Sequence, residues 1–157
     1  MRLTLPHELR TTLETELARA GAREIGGQLF GEQLAPSDFR VLEASVQRRG
    51  GSVATFSVSK LHAWFSAVRF FRRTKSEFVR FNYLGEWHSH PSFEIFPSGR
   101  DDRTMRLLAS DPAFKGTFAV LMIAKLVNDR FTSRAWIYLP DGSHYKAEVV
   151  SAEDDYD

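Results

Sequence analysis

The sequence predicts an α+β domain in which helices flank a mixed central β-sheet. Three observations carry that expectation. Helical periodicity marks three stretches, residues 6–20, 58–76 and roughly 99–109. Short apolar runs rich in β-branched and aromatic residues lie between and after them. The two kinds of element alternate without the strand–helix–strand regularity of an all-parallel sheet.

Each element has its own signal. In residues 6–20, Pro6 suits a first helical turn, Leu9, Leu13 and Leu17 recur at four-residue steps, and Gly21 ends the run. Residues 24–31 form a glycine-punctuated strand, and glycines there predict a bend or a close backbone approach. Residues 39–47 alternate as a second strand. Gly50-Gly51 is a turn, and residues 53–56 are a further short strand. The 58–76 helix is amphipathic, with Leu61, Trp64, Phe65, Val68 and Phe71 on one face, Trp64 buried, and Arg69, Arg72 and Arg73 toward the other. Residues 78–90 then form a strand, a proline-bounded loop spans 91–97, and Ser98 opens the third helix. Residues 117–126 and 131–139 pair as a hairpin through Val127-Asn128-Asp129-Arg130. Asp141-Gly142 is a turn before a last strand at 144–150. Residues 1–150 read as one domain and 151–157 as an acidic, frayed tail.

Composition excludes several functions. The chain has 157 residues, 43% hydrophobic and 13% aromatic, enough for one buried core. It has no cysteine, so thiol nucleophiles, thiolate-ligated zinc, iron–sulfur clusters and disulfides are all ruled out. A formal net charge of +1 gives no general attraction to nucleic acid or membrane. No apolar run is long enough to span a bilayer, and the first residues lack a signal-peptide pattern. The expected location is the cytoplasm, with no nucleic-acid or membrane partner.

The chemistry concentrates around His88-Ser89-His90-Pro91 and Ser98-Gly99-Arg100-Asp101. Side chains repeat every second residue along a strand, so His88 and His90 share one side while Trp87 and Ser89 face the other. Two imidazoles and a carboxylate suit zinc and leave a fourth position open for water. Bland readings stand beside this one. Ser98 with Asp101 is also a helix capping box. Glu24 could be a solvated edge residue, and Asp102 an acid facing the helix dipole. His7, His62 and His144 read as structural or surface residues, and Trp87 and Trp136 as core. The arginine-rich helix face is either solvated or a dock for an acidic partner. The apolar 93–96 segment either grips a substrate or tucks into the core.

The stretch Gly85-Glu86-Trp87-His88-Ser89-His90-Pro91, with the seven residues 91–97 between His90 and Ser98, and then Asp101, resembles the motif of the JAMM/MPN metalloprotease family. The family's upstream glutamate precedes a Gly-x-Leu-x-Gly strand; here Glu24 stands before Gly27-Gln28-Leu29-Phe30-Gly31. The resemblance covers residues 6–150, and no motif position is missing. It implies a cytidine-deaminase-like MPN/JAMM fold and a zinc ion held by His88, His90 and Asp101. It also implies Glu24 as general base and then acid, and Ser98 as hydrogen-bond donor to the developing oxyanion. The implied activity is a zinc isopeptidase or endopeptidase cutting the amide bond after the tail of a ubiquitin-like protein, by deconjugation or precursor maturation. The block from Tyr83 to Trp87 resembles bacterial members from ubiquitin-like conjugation and antiphage defence operons. Partners implied are the ubiquitin-like protein or its conjugate, and activating or conjugating enzymes of the same operon. A catalytically silent MPN scaffold and a peptidase acting on a sulfur-carrier protein are the alternatives.

Overall fold

The computed structural model describes residues 1–48 and 59–152. The Gly50-Gly51 turn, the 53–56 strand, the start of the second helix at 58 and the acidic residues 153–157 lie outside the described residues. The elements in order are β1 (Arg2–Pro6), α1 (His7–Ala20), β2 (Gly26–Ala35), β3 (Asp38–Ala44), α2 (Lys60–Arg73), β4 (Phe81–Ser89), α3 (Gly99–Ser110), β5 (Ala119–Val127), β6 (Arg130–Tyr138) and β7 (His144–Ala152).

The strands form a mixed sheet that closes on itself in the order β1-β3-β2-β4-β5-β6-β7. β1 runs parallel to both β3 and β7, and β4 runs parallel to β5; the other neighbours are antiparallel. The α+β class and the mixed sheet match the sequence reading, and the sheet closes into a barrel. The closing strand is β1, which the sequence reading missed. Five residues ending in proline carry little periodicity, yet Leu3 and Leu5 are buried between two parallel partners.

Strand alternation splits the core in two. Along β5, Val120, Met122 and Ala124 face one cluster with Leu13 and Leu17 of α1. Ala119, Leu121 and Ile123 face the other, with Met105 and Ala109 of α3 and Trp136 and Tyr138 of β6. Trp87 and Trp136 are core residues, as expected. The β5–β6 hairpin is the one the sequence predicts. Asn128 and Asp129 both take positive φ, 51° and 59°, the geometry of a two-residue turn whose twist matches the strands.

Several boundaries differ from the sequence reading; β3 ends at Ala44 and α2 at Arg73, and three further shifts lie at strand ends. β2 begins at Gly26 and continues past Gly31, because register shifts carry its pairing with β3 to Ala35. β4 begins at Phe81, because Lys75 and Ser76 take positive φ and a turn occupies the residues before the strand. Ser151 and Ala152 belong to β7 and pair with β1, so they are not part of a tail.

The face of α2 also needs correction. Trp64 is 59% exposed, and Leu61 and Phe65 are exposed with it. The buried residues of α2 are Ser66 and Phe70. Phe70 stacks on Phe30 of β2 at 4.8 Å between ring centroids, and this contact, not the widest apolar stripe, fixes the helix rotation. Arg69 and Arg73 both pair with Glu43 of β3, which ties part of the basic face to the sheet. No helix among the described residues is long and apolar enough to cross a membrane.

Candidate metal centre and active site

His88 lies near the end of β4 and His90 directly follows the strand, with His88 on the face shared with the α3 cluster, since it registers with Ile123 of β5. β2 approaches β4 closely here. A Cβ on Gly26, which pairs with His88, would sit on the Trp87 carbonyl oxygen and 2.8 Å from the His88 Cα. That is the close approach the glycines predict. Trp87 and Ser89 point the other way. Trp87 donates its indole N–H to the Ser45 carbonyl at 2.9 Å, and the Ser89 hydroxyl accepts the Ile25 N–H at 3.0 Å. Ser89 also donates its own N–H to the Ile25 carbonyl at 2.8 Å. This double link pins the residue next to Glu24 against β4.

Asp101 arrives from α3. Ser98 caps the helix: its hydroxyl accepts the Asp101 N–H at 3.2 Å, and its own N–H donates to the Asp101 carboxylate at 2.7 Å. The capping-box reading is therefore realised. The cap aims the Asp101 carboxylate at the histidines, and both the backbone and the side chain of Ser98 hold it there.

The three side chains meet. His88 Nε2 lies 3.0 Å from His90 Nε2, with Asp101 Oδ1 3.5 Å from the former and Asp101 Oδ2 3.7 Å from the latter. One ligand atom from each falls within 4.8 Å of the others, a spacing that could hold a metal ion. His90 Nδ1 is 2.9 Å from the Glu94 carbonyl and donates to it, which leaves Nε2 with its lone pair toward the site. Burial lowers the His90 pKa and so favours the neutral imidazole a metal requires. Burial of Asp101 opposes its ionisation, but the contacts with His88 and Ser98 outweigh it and hold the carboxyl well below its usual range. The donor set of two nitrogens and one carboxylate, with the second imidazole nitrogen of His90 anchored, fits a catalytic zinc site.

Glu24 lies just before β2 and is only 4% exposed, so it is not a solvated edge residue. Burial raises its pKa; His88 lowers it, Asp101 raises it further and Arg100 lowers it again. A buried carboxyl whose pKa responds to both His88 and Asp101 is equipped to exchange protons beside this cluster. Of the 93–96 segment, Ile95 tucks into the core while Phe93 and Phe96 are exposed. Phe93 packs against the His90 ring at 6.1 Å, and Phe96 packs edge-on to Trp136.

Elsewhere, His7 is exposed, His62 half-buried, and His144 stacks on Tyr138. Asp102 pairs with Arg106 at 2.8 Å, a partner more specific than the helix dipole alone. Sequence reasoning missed two contributors. The alternation that turns Ser89 away from the histidines already places its hydroxyl against a neighbouring strand, and that was its signal. The Glu94 carbonyl had none, because every residue carries one.

Comparison with known proteins agrees with the geometry. A CD-NTase/cGAS isopeptidase of Enterobacter hormaechei subsp. hoffmannii is 28% identical over 109 residues, 69% of this chain and 59% of that protein. This chain therefore matches less than two thirds of that relative's length. The solution structure of protein DSY2949 from Desulfitobacterium hafniense superposes with a TM-score of 0.70 at 22% identity, covering 97% of this chain and 94% of that one, and so shares its fold. Residues 6–138 match the prokaryotic homologs of the JAB domain, and the chain belongs to that family.

Proposed function

We propose that this protein is a zinc-dependent isopeptidase that hydrolyses the amide bond after the C-terminal tail of a ubiquitin-like protein. The observation that carries the reading is the convergence of His88, His90 and Asp101 within 4.8 Å. The buried Glu24 and the named relative, an isopeptidase of CD-NTase/cGAS, support it. The single domain, extended by β7 to Ala152, serves as the catalytic unit. Conjugates of a cGAS-like nucleotidyltransferase are the first substrates to consider, and enzymes that make such conjugates are the matching partners.

His88, His90 and Asp101 would hold the ion. When bound, zinc supplies Lewis acidity at the amide carbonyl and a water made nucleophilic near neutral pH. Glu24 accepts a proton during attack and returns it to the departing amine. The Ser98 hydroxyl, next to the cluster, turns its hydrogen to the oxygen that gains negative charge. Ser89 holds the Glu24 segment in place, and the 93–96 segment presents Phe93 and Phe96 to an extended tail.

The test uses ubiquitin-like proteins carrying a C-terminal extension or an isopeptide-linked partner, incubated with zinc-loaded protein and analysed by mass spectrometry. The parent should cut after the tail. Glu24→Gln should keep its zinc and lose about 100- to 10,000-fold in rate. A Glu24→Gln protein that cuts as fast as the parent would remove Glu24 from the mechanism.

A further inference from the structure

α3 carries Asp101 and the cap that aims it, yet little apolar packing holds its first turn to the sheet. Of its 12 residues only Met105 and Ala109 are buried, and both lie beyond the first turn. Ser98, Gly99 and Arg100 are exposed, and a Cβ on Gly99 would meet no atom within 4 Å. The histidine side of the site is pinned differently, by the Ser89 link to Ile25 and by the Glu94 carbonyl. The place of Asp101 therefore depends on whatever else fixes the start of α3.

Arg106 directs its guanidinium at three groups. Nε donates to the Asp102 carboxylate at 2.8 Å, Nη1 to the Gly142 carbonyl, and Nη2 to His144 Nδ1 at 2.8 Å. A guanidinium has donors alone, so His144 Nδ1 accepts and the ring proton sits on Nε2. That Nε2 lies 3.9 Å from Asp102 Oδ1, which closes a ring of contacts from α3 to the β6–β7 turn and back. The His144 ring lies flat on Tyr138, 5.2 Å between centroids and 10° between planes, and Tyr138 is fully buried. The turn end of this ring of contacts thus stands on the core.

We propose that Arg106 is a positioning residue for the metal site. It clamps the first turn of α3, through Asp102, to the β6–β7 turn and the start of β7, and so sets where the Asp101 carboxylate stands. Arg106 acts through Asp102, the chain neighbour of Asp101. The proposal rests on the metal-site reading above and is independent of what the site cleaves. The competing account is a helix-internal ion pair. Asp102 and Arg106 are four residues apart, the spacing of an ordinary surface pair, which would support α3 and leave the ligand geometry alone.

Zinc affinity is read by competition with a chromophoric chelator, and ligand geometry by the visible absorption bands of the cobalt(II)-loaded protein. Arg106→Met keeps the aliphatic stem and removes every donor. It should bind zinc about tenfold more weakly, the lower end of what an outer contact of a metal ligand contributes, and its cobalt bands should shift. Arg106→Lys keeps the charge but cannot serve three acceptors in the geometry of a planar fork, so it should restore little. His144→Phe keeps the ring on Tyr138 and removes the acceptor. It should move affinity and bands in the same direction, whereas a helix-internal pair would be indifferent to it. Glu16→Gln, which loses an ion pair on α1 far from the cluster in sequence, is the control and should match the parent in both readouts. An Arg106→Met protein with the parent's zinc affinity and bands overturns the clamp. So does a His144→Phe protein with the parent's values, or a Glu16→Gln protein that weakens as much as Arg106→Met. A parent that takes up no zinc overturns the metal-site reading and the clamp with it, while a parent that binds zinc beside an indifferent Arg106→Met removes the clamp alone.

Discussion

Ser98 has two tasks that one substitution separates. Its hydroxyl oxygen caps α3 by accepting the Asp101 N–H, while in the proposed mechanism its hydroxyl hydrogen donates to the oxyanion. Ser98→Ala keeps the backbone N–H that holds the Asp101 carboxylate, so zinc should remain bound. Stability should drop by about 1 kcal/mol from the lost cap, while kcat falls about 100- to 1000-fold. Thermal denaturation and steady-state rates check the two numbers, and a variant that loses stability but keeps its rate would leave Ser98 as a cap only. At this scale much of the site was legible. His88, His90, Ser98 and Asp101 lie within fourteen residues of chain, so strand alternation and a capping box bring them together locally. The burial of Glu24 was not legible, because the Ser89 link and the close approach at Gly26 depend on pairing with a strand some sixty residues away.

At the level of elements, α2 shows where periodicity misleads. Its apolar residues occupy more than one face, so hydrophobicity alone could not choose the buried one. The aromatic stack between Phe30 and Phe70 makes that choice. Phe70→Ala should therefore cost about 3–5 kcal/mol as a buried aromatic truncation. Trp64→Ala, despite removing the larger ring, should stay within about 0.5 kcal/mol of the parent. Urea denaturation midpoints of the two variants decide it, and the reverse order would restore the face that the sequence suggested. The β5–β6 hairpin was readable for the opposite reason. Its turn chemistry at Asn128 and Asp129 is local and admits few alternatives.

Across the whole molecule, closure depends on contacts between distant parts of the chain, which a linear reading does not see. β1 joins the two ends of the sheet by pairing with both β3 and β7. Nearby, Glu16 of α1 takes a two-pronged contact from Arg48, at 2.8 Å and 2.7 Å, just beyond β3. The Arg48 guanidinium lowers the Glu16 pKa, against the opposing effect of burial. A depressed carboxyl stabilises the fold above its unfolded value of about 4.3 and loses that contribution as pH falls through the lower folded value. Arg48 is 60% exposed, so screening limits the contact to about 1 kcal/mol. The parent should exceed Glu16→Gln by that margin at pH 7, and the gap should close in acid. Equal midpoints at pH 7 would show that the contact contributes nothing. Most strands, the helices and the His88, His90 and Asp101 cluster were written in local patterns, whereas β1, barrel closure and cross-sheet ties were not. The central claim is that three side chains from β4 and α3 make one metal site, and metal stoichiometry after dialysis against a slight excess of zinc tests it most directly. The account predicts one zinc per parent chain and less than a tenth of that in Asp101→Ala; a parent without zinc, or an Asp101→Ala protein that binds as much as the parent, would contradict it.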